Sequence, residues 1–235
     1  MVDELERRVE LREPTVVCFA NVHVIELARR DAELRRSLDE ASLVLADGMP
    51  VAWACRLLGK KSAVRVAGHD VYDELCARTE GTGVRHFFLG STEETLERLV
   101  AATRRRFPKL EIAGMLSPPF RPLTSQDHLS IAAAVDTAGA EVVWVGLGAP
   151  KQEILLSALR PLVTAPVLLG VGAVFDFASG TKRRAPRWMQ RAGLEWLYRL
   201  ASEPRRLWRR YLVTNVSFSA RLVLVTARTR LWGHT

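Results

Sequence analysis

Short, fully apolar segments alternate along the chain with longer segments in which apolar residues recur every three or four positions. The short segments predict strands, and the longer ones predict helices. The predicted strands are Val16–Phe19, Leu43–Ala46, Val84–Leu89, Leu110–Gly114, Val142–Leu147 and Val167–Val171. The predicted helices between them are Val22–Ser37, Val51–Leu58, Val71–Thr79, Thr92–Phe107, Ser125–Thr137 and Lys151–Leu159.

This alternation predicts a doubly wound α/β fold, because strand–helix–strand units build a mostly parallel sheet with helices on both faces. Val142–Val145 and Val167–Leu169 are apolar at every position, as expected of strands covered on both faces. The proline-rich segment Ser117–Pro122 predicts an ordered loop, because its prolines restrict the backbone.

The pattern changes near Thr181, where strand signals stop and Arg and Trp become frequent. The remaining residues predict two helices, 186–200 and 204–232, separated at Glu203–Pro204 because Pro fits the first turn of a new helix. The sequence therefore predicts an α/β body over residues 1–181 and a helical appendage over residues 182–235.

Charge separates the same two parts of the chain. Residues 182–235 carry thirteen of the 34 Lys and Arg residues but two of the 26 Asp and Glu residues, a net charge of +11, which leaves −3 on residues 1–181. A basic segment of this kind indicates an anionic partner. Its interleaved Trp and Arg residues favour the surface of an anionic membrane; packing with a solvated Arg face and a nucleic-acid surface are the alternatives.

The overall composition fits an ordinary globular protein of 235 residues, with 48% hydrophobic and 26% charged residues. Cys18, Cys55 and Cys76 form no C-x-x-C pair, which predicts reduced thiols rather than a disulfide framework or a zinc site. The first thirty residues lack the pattern of a signal peptide, and no apolar run reaches the ~18 residues of a membrane-spanning helix. We therefore expect a cytoplasmic protein.

Polar and small residues follow the predicted strands, at the edge where ligands bind in open α/β sheets. This group comprises Asn21, Asp47, Gly48, Gly90, Ser91, Thr92, Gly146, Gly148, Pro150, Lys151, Gln152, Glu153, Gly170, Gly172, Asp176 and Phe177. The convergence of such residues fits a site for a polyphosphate-linked sugar.

Asp47 is the clearest candidate for acid–base chemistry, because it lies between a strand and a helix started by Pro50. A carboxylate held there can accept a proton from an attacking hydroxyl, or it can act as an N-cap. Arg65 is a candidate for neutralising a departing diphosphate. Asp70 has capping as its alternative, and His69 fits a solvent-facing turn residue better than a site residue.

Three glycine-containing turns are weaker candidates. Gly90-Ser91-Thr92 ends a strand and opens a helix, so its backbone N–H groups can bind a phosphate, although N-capping by Ser91 or Thr92 also explains it. Gly146-x-Gly148 and Gly170-x-Gly172 match half of a dinucleotide fingerprint and equally fit tight turns. The chain has no D-x-D motif of the kind that holds a metal–nucleotide complex, which suggests metal-free stabilisation of a leaving diphosphate.

Taken together, these motifs resemble the WecG/TagA/CpsF glycosyltransferases, glycosyltransferase family 26. The resemblance extends from Asn21 to about Tyr211. It is carried by Ala46-Asp47-Gly48-Met49-Pro50, Ala67-Gly68-His69-Asp70, Phe87-Phe88-Leu89-Gly90, Val145 to Glu153, Gly170 to Phe177, Arg184-Ala185-Pro186-Arg187-Trp188, Leu194 to Leu200 and Glu203-Pro204-Arg205-Arg206.

The resemblance implies a Rossmann-like body and an inverting transferase that needs neither a metal nor a cofactor. It implies a UDP-sugar donor, such as UDP-N-acetylmannosamine or a related hexose, and an acceptor sugar on a polyprenyl diphosphate. The implied setting is the inner face of the plasma membrane, in the synthesis of wall teichoic acid, enterobacterial antigen or exopolysaccharide. The implied appendage is an active-site lid that also touches the membrane.

The resemblance also assigns residues. It implies Asp47 as the catalytic base and Arg65 as a second catalytic residue. The implied substrate-binding residues are Asn21, Gly48, Gly68, Asp70, Gly90, Gly148, Lys151, Gln152, Glu153, Gly172, Asp176, Arg199, Arg206 and Arg210. Among them, Arg199, Arg206 and Arg210 are candidates for the diphosphate groups.

One position departs from the family. The family commonly has Thr two residues before the Asn of its first strand-end motif, where this chain has Phe19, and a phenyl ring supplies no hydroxyl hydrogen bond. The alternative hypothesis is therefore a catalytically impaired protein that binds a UDP-sugar or a lipid head group. A nucleic-acid partner is disfavoured because the body is acidic and carries no recognition motif. Assembly into a homo-oligomer stays open.

Overall fold

The computed structural model describes the backbone of residues 1–232, and their side chains except those at positions 191, 206, 209–212 and 227–232. Six strands form a single sheet: β1 (Thr15–Ala20), β2 (Leu43–Ala46), β3 (Arg85–Gly90), β4 (Glu111–Leu116), β5 (Val142–Gly146) and β6 (Val167–Gly170). The helices are α1 (Val2–Glu10), α2 (Val22–Ala28), α3 (Ala32–Glu40), α4 (Met49–Leu57), α5 (Gly68–Thr79), α6 (Glu93–Arg106), α7 (Ser125–Thr137), α8 (Lys151–Leu159), α9 (Val174–Ala178), α10 (Arg187–Arg191), α11 (Glu195–Ser202) and α12 (Pro204–Trp232).

The strand order of the sheet is β2-β1-β6-β5-β3-β4. The pairs β1–β6, β6–β5, β5–β3 and β3–β4 are parallel. Since helices connect successive strands, the architecture is the predicted Rossmann-like, doubly wound α/β fold. All six predicted strands are present, and their ends differ from the predicted ends by at most two residues.

The central strands are buried because they are apolar at every position. In β6, Val167, Leu168 and Leu169 are fully buried, as are Val142 to Val145 of β5. The edge strand β4 is more exposed. Burial on both faces of β5 and β6 is the reason that these strands show no alternation of polar and apolar residues.

Two predicted helices are broken in the structure. The predicted helix Val22–Ser37 is split into α2 and α3 at residues 29–31, where Asp31 stands immediately before α3, a position that favours Asp. The predicted helix 186–200 is split into α10 and α11 at Gly193, whose φ of +72° is a left-handed conformation. A Cβ at Gly193 would lie 3.0 Å from the Met49 Cβ, so only glycine fits this turn without strain.

Two short helices, α1 and α9, were absent from the prediction. Helix α1 buries Val2, Leu5 and Val9, a helical spacing that was visible in the sequence. Helix α9 has only five residues, too few to give a periodic pattern.

The chain forms two compact units with interleaved sequence. The first comprises residues 1–19, 33–44 and 67–183, and the second comprises residues 20–32, 45–66 and 184–235. The division of the chain into residues 1–181 and 182–235 stays a prediction.

The cysteines Cys18, Cys55 and Cys76 are all free thiols, and Cys18 and Cys76 are buried.

Within the second unit, the long helix α12 packs on α2. Glu26 of α2 is buried, accepts a hydrogen bond from Ser217 Oγ at 2.8 Å, and pairs with Arg221 Nη1 at 3.0 Å. The predicted helix 204–232 is therefore present as α12, and a buried ionic contact attaches it to α2. In the described part of the chain, no helix has the length and apolarity required to cross a bilayer.

Candidate functional site

Asp47 lies in the second unit, directly after β2. Backbone hydrogen bonds connect its segment to two other segments of the chain. The Asp47 N–H donates to the Ala20 carbonyl at 3.1 Å, and the Val66 N–H donates to the Ala46 carbonyl at 2.9 Å. Gly48, with a φ of +96°, turns the chain directly into α4. The carboxylate therefore stands on a rigid backbone, one residue before a turn.

Asn21 connects this carboxylate to α2. Its Oδ1 accepts hydrogen bonds from the N–H groups of His23 and Val24, which makes Asn21 the N-cap of α2. Its Nδ2 donates to Asp47 Oδ2 at 3.5 Å, a long hydrogen bond. The capping role fixes the orientation of the amide, so the Nδ2 group points at Asp47. The structure gives Asp47 itself no capping role, because the N-cap of α4 is Gly48.

Burial raises the pKa of Asp47 from 3.8 to about 6. The hydrogen bond from Asn21 and the charges of Arg65 and Arg199 act in the opposite direction, while the charge of Glu195 adds to the rise. A pKa near 6 suits a general base that works near neutral pH, because such a group is both ionised and basic enough to accept a proton.

Glu195 also belongs to this cluster, although it is not among the site residues predicted from the sequence. One carboxylate oxygen lies 3.9 Å from Arg65 Nη1, and the other accepts from Arg184 Nε at 3.4 Å. Glu195 thus joins two arginines and acts electrostatically on Asp47. A sequence signal existed, since Glu195 and Glu203 are the two acidic residues among residues 182–235.

The predicted arginines divide into described and undescribed side chains. Arg65 pairs with Glu195. The charges of Arg65 and of Arg199 in α11 both lower the pKa of Asp47, so both arginines belong to the Asp47 cluster. The side chains of Arg206 and Arg210 lie outside the described residues, and their assignment to diphosphate groups stays a prediction. The cluster therefore contains Asn21, Asp47, Gly48, Arg65 and Arg199 of the predicted residues, with Glu195 and Arg184 added.

A second group of predicted residues lies in the first unit, around Gln152. The buried amide of Gln152 accepts from the Gly148 N–H at 3.1 Å and donates to the Gly170 carbonyl at 2.9 Å. The same amide lies close to Gly172, since a Cβ on Gly172 would lie 3.4 Å from Gln152 Oε1. Gln152 therefore joins the turn after β5 to the end of β6, which fixes the shape of both turns.

Glu153 is the most deeply buried acid of this group. Its Oε1 accepts from Gln152 Nε2 at 2.9 Å, and among the described residues its Oε2 has no hydrogen-bond partner. Burial raises the pKa of Glu153 above the ordinary value of 4.5, and the Gln152 hydrogen bond opposes this rise. Burial, followed by the nearby Glu153 charge, also raises the pKa of the Cys18 thiol to about 12, so Cys18 stays protonated and unreactive at neutral pH.

Gly90 marks a close approach between β3 and β5. It pairs with Gly146 in the sheet, has a φ of +126°, and a Cβ at its position would lie 2.7 Å from the Gly146 carbonyl oxygen. The side chain of Thr92 caps α6 by accepting from the Thr95 N–H at 3.2 Å. The capping explanation of this turn is therefore correct, with Thr92 rather than Ser91 as the cap.

Most of the other predicted residues of the first unit lie at more exposed positions. Lys151 and Asp70 are exposed in the first turns of α8 and α5, and the Asp70 N–H donates to the Ala67 carbonyl at 3.0 Å. Asp176 pairs with Lys182 Nζ at 2.8 Å. Gly68 is buried, and a Cβ there would lie 3.4 Å from Val174 Cγ2, close to an ordinary van der Waals contact.

The two groups suit different chemical tasks. The Asp47 cluster supplies a partly buried carboxylate of raised pKa with arginines nearby. Such a carboxylate can deprotonate a hydroxyl, and the arginines can stabilise an anionic leaving group. The turns around Gln152 supply fixed backbone groups at strand ends, where open α/β sheets bind ligands. Within the described residues, no group of three His, Cys, Asp or Glu side chains is arranged to hold a metal ion.

The chain is similar in sequence to known proteins over most of its length. A model of the "Glycosyl transferase WecG/TagA/CpsF family" matches residues 1–231. The chain is 31% identical over 212 residues to the N-acetylglucosaminyldiphosphoundecaprenol N-acetyl-beta-D-mannosaminyltransferase of Bacillus subtilis (strain 168), covering 90% of this chain and 80% of that protein. The protein of the same name from Bacillus spizizenii is 32% identical over 196 residues, covering 83% and 74% of the two chains.

Proposed function

Because the chain belongs to the WecG/TagA/CpsF family of glycosyltransferases, we propose that it moves a sugar from a UDP-sugar to a sugar carried on a polyprenyl diphosphate. The names of the two Bacillus relatives support a donor with an N-acetylmannosaminyl group and an acceptor with N-acetylglucosamine on diphosphoundecaprenol. The product would serve the synthesis of a cell-surface polysaccharide or teichoic acid.

The observation that carries this proposal is the position of Asp47, which follows β2 on a hydrogen-bonded backbone and lies near three charged side chains, those of Arg65, Glu195 and Arg199. In the proposed step, the acceptor hydroxyl oxygen forms a bond to the anomeric carbon of the donor. The bond from that carbon to the UDP oxygen breaks, and UDP leaves with the bonding electrons. Asp47 accepts the hydroxyl proton, and attack opposite to the leaving group inverts the anomeric carbon.

Arginines and backbone amides stabilise the departing UDP in this proposal. Arg65 and Arg199 are the candidates with described side chains, because the charge of each lowers the pKa of Asp47. The absence of a D-x-D motif supports a reaction without a metal ion. The remaining predicted residues of the first unit are proposed to bind substrate: Gly68, Asp70, Gly90, Gly148, Lys151, Gln152, Glu153, Gly172 and Asp176.

The proposed location is the inner face of the plasma membrane, where polyprenyl-linked acceptors present their sugars to the cytoplasm. The basic charge of residues 182–235 supports this location, because each Lys or Arg near an anionic surface adds about 1 kcal/mol of attraction. The exposed apolar residues of α12, such as Trp208, Val216 and Val223, add surface that suits a lipid interface.

The test is UDP release in EDTA with a panel of donors. Purified protein is incubated with UDP-N-acetylmannosamine, UDP-N-acetylglucosamine or UDP-glucose, together with polyprenyl-diphosphate N-acetylglucosamine in detergent. We expect acceptor-dependent release with UDP-N-acetylmannosamine and none without an acceptor. Release that needs an added divalent metal would contradict the metal-free mechanism.

A second function has one specific observation in its favour. Phe19 is buried at the position where the resemblance places a Thr, so no hydroxyl stands there. A protein that binds a UDP-sugar or a lipid head group without transfer would fit this change. Saturable UDP binding by calorimetry, with no UDP release from any donor, would favour this function over transfer.

A further inference from the structure

Helix α4, which begins two residues after Asp47, ends in an exposed apolar and basic surface that the proposed reaction does not use. Residues 56–62 are all exposed, from the last turn of α4 through the turn that follows. The exposed fractions of the apolar side chains are 47% for Trp53, 58% for Leu57 and 47% for Leu58. We call this surface the α4 tip; it comprises Trp53, Arg56, Leu57, Leu58, Lys60 and Lys61.

The α4 tip is an ordered turn. The Lys60 N–H donates to the Cys55 carbonyl at 2.9 Å, and the Ala63 N–H donates to the Lys60 carbonyl at 2.9 Å. Arg56 Nε donates to the Ala63 carbonyl at 2.7 Å, which ties the chain after the turn back to the helix. Trp53 and Leu57 are four residues apart and so lie on the same face of α4. The fold thus holds Leu57 and Leu58 in the solvent, whereas the ring of Trp53 is half covered and reaches Gly193, where a Cβ would lie 3.6 Å from Trp53 Cη2.

The charge of the segment identifies the partner. Between Asp47 and Asp70 the chain has no acidic residue and four basic ones, which are Arg56, Lys60, Lys61 and Arg65. Apolar and indole side chains flanked by lysines suit the boundary between head groups and acyl chains of an anionic bilayer. A second copy of this chain suits the surface less well, because a two-fold contact would place Lys60 and Lys61 of the copies near each other.

We propose that the α4 tip inserts into an anionic lipid surface, as a membrane contact separate from the basic appendage. The proposal rests on the proposed function, because that function places the acceptor sugar at Asp47 and its lipid in a bilayer. Helix α4 is nine residues long, about 13 Å along its axis, so Asp47 and the Leu57–Lys61 end of the tip lie beyond opposite ends of one short helix. An inserted tip would therefore hold Asp47 a fixed, short distance above the lipid head groups.

Vesicle binding by the full-length protein tests the proposal. Vesicles contain phosphatidylglycerol and phosphatidylcholine in equal parts, or phosphatidylcholine alone. The test variants are Leu57→Ser/Leu58→Ser and Lys60→Gln/Lys61→Gln. The matched controls are Phe120→Ser, whose side chain is 83% exposed in the first unit, and Arg104→Gln/Arg105→Gln, which removes two exposed charges at the end of α6. Thermal unfolding of each variant checks its fold.

We expect the lysine variant to bind anionic vesicles about thirtyfold more weakly, because each basic residue near the surface contributes roughly a fivefold factor. The leucine variant should bind about tenfold more weakly, because it loses buried apolar area. Both controls should bind as the wild type does. Vesicle affinity within about twofold of wild type for both test variants would overturn the proposal. Equal losses in the controls would also overturn it.

Two further readouts separate this proposal from its alternatives. If Leu57→Ser/Leu58→Ser dissolves a dimer in sedimentation velocity and vesicle binding is unchanged, the surface binds a second copy and the lipid proposal is wrong. Vesicle binding needs no turnover, so weaker binding by the test variants supports the α4 tip even when no donor gives UDP release. That combination would contradict the proposed function alone.

Discussion

The carboxylate of Asp47 has neighbours of both charges, and their balance sets its basicity. Burial and the Glu195 charge raise its pKa, whereas Asn21, Arg65 and Arg199 lower it. Glu195 also pairs with Arg65 and Arg184, so it tunes Asp47 directly and through its partners. In the proposed mechanism, Glu195 keeps Asp47 basic without contacting the substrate, which makes it a positioning residue.

Replacing Glu195 tests this tuning. Glu195→Gln removes a negative charge near Asp47 and leaves the Arg65 charge less compensated, so the pKa of Asp47 should fall. The ascending limb of kcat/KM against pH should move to lower pH by about half a unit. The matched control is Glu203→Gln, which replaces the other acid of residues 182–235. A limb that stays in place or moves to higher pH would contradict the role of Glu195.

The sequence could identify Asp47, because a carboxylate between a strand and a Pro-started helix occupies a recognisable position. It could not assign Glu195, because the charge of this side chain acts on residues 130 or more positions earlier in the chain. Gln152 shows a similar limit. Its place in a motif was visible, but the hydrogen bonds that join the Gly148 and Gly170 turns depend on the packing of α8 against the sheet.

At the scale of elements, strand positions were predictable and helix interruptions were not. Strands β5 and β6 are apolar at almost every position, and this pattern follows from burial on both faces. The break at Gly193 has a local signal, but glycine occurs in continuous helices as well, and the deciding feature is the close approach of Met49. Tertiary packing therefore decided where the predicted helix 186–200 divides.

The docking of α12 on α2 is a further element-level feature with a specific cause. Glu26 in a helical segment looks like a solvent-facing residue in the sequence, yet it is 6% exposed and bound by Ser217 and Arg221. A buried carboxylate that loses its cation is costly. The contact between Glu26 and Arg221 therefore holds α12 against α2.

Arg221→Ala should loosen this docking. We expect the free energy of unfolding to fall by about 1–3 kcal/mol, because the Glu26 charge stays buried without its cation. Amide hydrogen exchange in α12 should become faster. Arg205→Ala, at an exposed position of the same helix, is the control and should leave exchange unchanged. Adding Glu26→Gln to Arg221→Ala should restore protection, and its failure to do so would contradict the ionic account.

At the scale of the whole molecule, charge distribution was readable from the sequence and the division into units was not. The contrast between −3 on residues 1–181 and +11 on residues 182–235 follows from counting. The compact units instead interleave three segments each, and residues 20–32 and 45–66 belong with the appendage. Such a division depends on contacts between distant segments, which a pass along the chain does not reveal.

The central proposal joins these scales: we propose Asp47 as the base of a metal-free sugar transfer. Asp47→Asn tests it without unfolding the protein. The pKa of Asp47 is about 6 in the folded state against an ordinary 3.8, so its ionisation opposes folding as pH rises from about 4 through 6. Asn does not ionise, and at neutral pH the variant should be more stable than the wild type by at most about 3 kcal/mol.

The most direct measurement is therefore the rate of acceptor-dependent UDP release by Asp47→Asn, compared with the wild type in EDTA over a range of pH. The account predicts a wild-type rate that rises through a pKa near 6. It predicts that the variant is folded, binds UDP and transfers at least about a hundredfold more slowly, without that rise. A stable variant that transfers at the wild-type rate with the same pH dependence would contradict the account.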